Sequence, residues 1–133
     1  MRRAAVRVLV VAGLMSSLVA CGQPYEDAVL DTAAAFYRAH AAGDGQAACD
    51  LLAPRTRSEL EKSAGKPCAE AVLAEQLPQV NQSEALHVFG TQAEVGWDGE
   101  TTFLSRFQDG WKVMAAGCTP RTGHPHDCTI SGG

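Results

Sequence analysis

Pro78 separates two kinds of sequence, and that change of period constrains the fold more than any other feature of the chain. Before it, Val29, Ala33, Phe36, Tyr37 and His40 recur at the spacing of one helix face. Gly43 suits a left-handed helix end, and Asp44 can cap a second short helix reaching Leu52. Thr56 and Glu59 have capping-box spacing for a third, Ser58 to Ala64, closed by Gly65. Pro67 opens a fourth whose Val72, Leu73 and Leu77 are expected to face inward. After Pro78 the period falls to two. Ala85 to Phe89 alternates, and Thr91 to Trp97 sets Ala93, Val95 and Trp97 on one face. Asp98-Gly99 is a hairpin turn, Thr101 to Phe107 returns, and Gln108-Asp109-Gly110 turns again, which predicts Phe107 opposite Trp111. Trp111 to Gly117 is read as the last strand. Helices followed by a meander predict an α+β fold, with the N-terminal helices packed on a curved antiparallel sheet. From Cys118 the run of Pro and Gly predicts an irregular tail over 119–133.

The 133 residues are enough for one core and too few for two ordinary domains. Beyond residue 20 the chain holds eight basic against fifteen acidic residues, a net charge of −7. That balance argues against a phosphate backbone, so nucleic acid is excluded as the expected partner.

Residues 1–20 carry three arginines and no acid. A basic start, an apolar stretch from Val8 to Val19 and small residues at its end read as a secretory signal, since the stretch is short for a bilayer span. Leu18-Val19-Ala20-Cys21-Gly22 resembles the lipobox of bacterial lipoproteins. That resemblance implies cleavage before Cys21, a diacylglyceryl thioether on its sulfur, and residues 21–25 as a lipidated tether. The expected location is the cell membrane, anchored by lipid on the extracytoplasmic side.

With Cys21 set aside, Cys49, Cys68, Cys118 and Cys128 remain, and an oxidising compartment suggests two disulfides. Three pairings exist. Cys49–Cys68 and Cys118–Cys128 are favoured because each closes a short local loop.

Ala34-x-Phe-Tyr-x-Ala followed by Ala-Gly-Asp-Gly-x-Ala-Ala-Cys49, with Phe107-x-Asp-Gly-Trp-Lys-Val113, resembles the small NTF2-like lipoproteins of high-GC Gram-positive bacteria. The likeness covers roughly 26–118 and implies a cone-shaped domain. Some members of that superfamily are isomerases or dehydratases. The function expected here is a membrane-anchored, non-catalytic domain that binds a small apolar ligand or an envelope protein. The alternative is a small-substrate isomerase or cyclase of the same fold.

Chemistry-bearing residues are sparse. Cys118, His124, His126 and Cys128 could in principle hold zinc or copper, but their spacing matches no common module and Pro125 limits convergence. A disulfide is the better reading, so no metal and no other cofactor is expected. Tyr37 and His40 lie on the apolar stripe of the first helix, whereas Asp31 falls off it. With Trp97 and Trp111 they are the residues expected to line a cavity. No catalytic residue is assigned, because no acid–base pair is visible and no nucleophile elbow, phosphate loop or dinucleotide fingerprint occurs.

Overall fold

The computed structural model describes residues 23–133; the segment read above as a signal and Cys21 lie outside them. Helix α1 spans Gln23–Ala41 and runs along the sheet. Its stripe is the reason: Val29, Ala33, Phe36 and Tyr37 are all buried, and each large side chain taken from water contributes about 1.5–3 kcal/mol. Gly43, at φ 73°, turns the chain out of the helix, and the Asp44 carboxylate accepts from Ala47 N–H to cap α2, Gly45–Asp50. Then come α3, Pro54–Ala64, and α4, Cys68–Ala74.

The third helix begins earlier than its capping-box spacing suggests. Pro54 occupies its first turn and Ala53 precedes it with no side-chain cap, so Thr56 is inside the helix. Thr56 is fully buried and donates to the Met114 carbonyl at 2.9 Å, fastening α3 to the sheet. In α4 Val72 is buried as expected and Leu77, beyond the helix, packs on the core, but Leu73 points to solvent. A helix of barely two turns buries one stripe, and Cys68, Ala71 and Val72 already fill it.

The sheet is a five-stranded antiparallel meander in the order β1-β2-β3-β4-β5: Ala85–Phe89, Gln92–Trp97, Glu100–Phe107, Gly110–Arg121 and His124–Ser131. The fold is therefore α+β, helices on one face of an open sheet. The turn after β3 is shorter than three residues. Phe107 pairs with Gly110 and Arg106 stands opposite Trp111, because Gly110, at φ 117°, already belongs to the ladder.

The larger correction concerns 119–133, which is sheet and not an irregular tail. The last strand does not stop at Gly117: β4 continues to Arg121 and β5 folds back on it. Pro120 and Pro125 are tolerated because β5 is an edge strand and, past Cys118, β4 has only β5 beside it. Cys118 and Cys128 are direct partners in that ladder and are joined by a disulfide. The Cys49–Cys68 disulfide links α2 to the start of α4. Where β5 ends, residues 51–53 take its place: Ala53 N–H donates to the Val113 carbonyl and Val113 N–H to that of Leu51.

Two register shifts in the β3–β4 ladder make β4 bulge. At the second, Gly117 has φ 64° and its N–H leaves the ladder to point at α1. Among the described residues no helix is long and apolar enough to cross a membrane.

Candidate functional site

Alternation along β3 puts Glu100, Thr102 and Leu104 on the face that meets α1. The Asp98-Gly99 turn sets Glu100 directly opposite Trp97 in the ladder. Tyr37, near the C-terminal end of α1, comes down on Trp97, Glu100 and Thr102. Its ring meets that of Trp97 edge-on at 5.9 Å, and its hydroxyl lies 3.1 Å from Thr102 Oγ1.

The donors can be counted. Trp97 Nε1–H donates to Thr102 Oγ1 at 2.9 Å, and Gly117 N–H donates to the Tyr37 hydroxyl at 3.2 Å. When Thr102 O–H donates to the Tyr37 oxygen, that oxygen accepts twice, from Thr102 and from Gly117 N–H. The phenolic proton is left to face the Glu100 carboxylate, the remaining acceptor beside it.

Glu100 is 6 % exposed, and neither carboxylate oxygen has a hydrogen-bond partner among the described residues. Contact with Tyr37 is thus electrostatic and short of a formed hydrogen bond. Burial raises the Glu100 carboxyl above the ordinary carboxylate range, and the Tyr37 hydroxyl offsets part of that rise. Burial, and then the neighbouring Glu100, push the Tyr37 phenol well above its usual value, against the smaller opposing pull of Thr102 and Gly117 N–H. Both groups hold their protons more tightly than they would in water.

The segment 75–84 crosses the same end of α1. Its Leu77 and Val80 pack on the core, and Glu75 offers its carbonyl to His40 Nε2 at 3.0 Å. Between this strap and α1 lies a cleft of about 350 Å³ lined by Ala34, Tyr37 and Arg38 on one side and Gln79, Val80 and Asn81 on the other. Tyr37 forms part of its wall, and Glu100, beside the Tyr37 hydroxyl, is not among the lining residues.

Of the four residues expected to line a cavity, Tyr37 does so. Trp97 supports Tyr37 from within the core, Trp111 is core, and half-buried His40 ties α1 to the strap. Glu100 and Thr102 were not among the expected site residues. Phe103 lies on the opposite face of the sheet from Thr102, with the His126 ring edge-on at 5.1 Å. Among the described residues no three His, Cys, Asp or Glu side chains are grouped to hold a metal ion. Comparison with protein-family models, curated proteins and solved structures finds nothing that matches this chain.

Proposed function

We propose that the chain is a lipid-anchored protein of the cell envelope, held at Cys21, whose NTF2-like domain binds a small ligand without transforming it. Leu18-Val19-Ala20-Cys21 supports the anchor. The observation that carries the binding role is an open cleft walled in part by Tyr37, with the buried Glu100 carboxylate outside its lining. A ligand in the cleft meets apolar Ala34 and Val80 and the amides of Gln79 and Asn81, a mixture that suits a small, mostly apolar molecule with one or two polar groups. An acid–base catalyst must reach its substrate within hydrogen-bond distance, and buried Glu100 is not among the residues that line the cleft.

The alternative, an isomerase or cyclase, is favoured by one observation: Tyr37 and Glu100 are adjacent and burial makes each hold its proton more tightly than in water, the direction required of a pair of donors to an oxyanion. Two variants separate the readings. Ala34→Phe fills the cleft and should abolish complementation of a deletion strain, while Tyr37→Phe should leave it intact. A folded Tyr37→Phe or His40→Gln protein that fails to complement would establish the enzyme instead. For the anchor, wild type should enter the detergent phase and Cys21→Ala should be released or remain unprocessed. A cleaved Cys21→Ala protein that stays on the membrane would exclude lipidation.

A further inference from the structure

Three of the four large apolar side chains most exposed on the described surface gather at one end of the molecule. Tyr25 is 47 % exposed in the first turn of α1, Phe89 is 65 % exposed at the end of β1, and Phe107 is 39 % exposed at the end of β3. Strand pairing puts the last two together: the β1–β2 turn follows Phe89, the β3–β4 turn follows Phe107, and the Arg106 N–H donates to the Thr91 carbonyl between them. Tyr25 joins them through Arg106, whose guanidinium sits 5.0 Å from the centre of its ring. Leu73, the fourth, is elsewhere, two residues before Glu75, whose carbonyl binds His40 at the far end of α1.

Helix α1 begins at Gln23, two residues after Cys21, and Tyr25 is four residues from it. Four residues span at most ~14 Å fully extended. Lipid on Cys21 therefore forces this end, and no other, against the bilayer surface.

We propose that the Tyr25–Phe89–Phe107 end seats in the headgroup region of the membrane that holds the anchor, so that the domain stands on the bilayer in one orientation with the Tyr37 cleft outward. This rests on the lipid anchor proposed above. Tyr25 supplies a ring with one polar edge, Phe89 and Phe107 supply apolar rings, and the Arg106 guanidinium lies over the Tyr25 face; interfacial water and lipid accommodate such side chains together. The Lys112 ammonium is paired with the Asp109 carboxylate at 3.2 Å, so it is not free to recruit anionic lipid. Tyr25 and Tyr37 are twelve residues apart on α1, about 18 Å along a helix, which holds the cleft clear of the headgroups.

The test uses the full lipidated chain in phosphatidylcholine vesicles whose acyl chains are brominated, with lipid on the N-terminal peptide verified first by mass. Phe89→Trp and Phe107→Trp should each lose emission beyond the wild-type loss, while Leu73→Trp should lose no more than wild type. Equal loss at all three positions, or at none, with lipid present overturns the seating and leaves the anchor standing. A mature chain with no lipid on Cys21 overturns both.

Discussion

Glu100 is where side-chain chemistry and stability meet. Its carboxyl is raised in the folded protein by burial, so the native state binds its proton more tightly than the unfolded chain does. The sign follows from linkage: stability from this group is fully present below the unfolded pKa and is lost as pH rises through the folded one. Glu100→Gln keeps the shape without the ionisation. It should match wild type near pH 4 and exceed it by roughly 1–3 kcal/mol at pH 8, the usual cost of a buried polar group left unsatisfied. Urea melts at the two pH values measure this, and a variant destabilised equally at both would show that Glu100 has a partner in solution. Tyr37→Phe acts on the same cluster in the opposite direction. It strands Gly117 N–H and the Thr102 hydroxyl, so roughly 1–3 kcal/mol should be lost, whereas Tyr37→Ala also opens a cavity and should cost about 3–5 kcal/mol. Both are read from thermal unfolding at pH 7, and a Tyr37→Phe protein as stable as wild type would mean that water replaces the hydroxyl. Glu100 was legible in principle, since it is in phase with Thr102 and Leu104 and stands across a two-residue turn from Trp97. An acid next to a turn ordinarily reads as solvent-facing, and the period-two pattern outranks that habit only when it is counted through the turn.

At the scale of elements, close approach decides more than propensity does. A glycine in a helix normally costs about 0.5–1 kcal/mol relative to alanine. Gly45 reverses the sign, because it opens α2 where the backbone of α4 passes and a methyl there would be driven into the Ala69 carbonyl. Gly45→Ala should therefore destabilise by roughly 1–3 kcal/mol, the range for overpacking. A urea midpoint equal to or above that of wild type would mean that α2 and α4 are free to part despite their disulfide. This contact was invisible beforehand, since spacing marks which face of a helix is apolar and not how near a second helix comes. The third helix was misplaced for a related reason. Thr56 looks like a cap by residue type, but Pro54 fixes the first turn and the Thr56 hydroxyl finds its acceptor 58 residues away, at Met114. Helix order, the meander and its Asp98-Gly99 turn were legible because period and turn chemistry are local. The β4–β5 ribbon was not, since two prolines weigh against a strand until it is known to be an edge.

The whole molecule is two layers, each with its own disulfide. Cys49–Cys68 lies wholly within the helical layer, and Cys118–Cys128 lies within one pair of strands. Helices of six and seven residues are marginal in isolation, so α2 and α4 depend on the bridge and on the close contact between them. The centre of the sheet depends on neither, because β3 has ladder partners on both sides and carries Thr102 and Leu104 into the core. Removing each bridge should thus loosen a different part. Cys49→Ser/Cys68→Ser should cost about 2–5 kcal/mol overall and raise amide exchange first across α2, α4 and the strap that follows α4. The strap forms one wall of the cleft and holds His40 through Glu75, so the variant should also weaken any binding there. Cys118→Ser/Cys128→Ser should raise exchange over 119–131 and leave α2 and α4 as they were. Hydrogen exchange resolved by segment distinguishes these patterns from a single cooperative loss. If loss of either bridge accelerates exchange equally in β3, α4 and the ribbon, the layers open as one unit, and the strap cannot move independently of the sheet it covers.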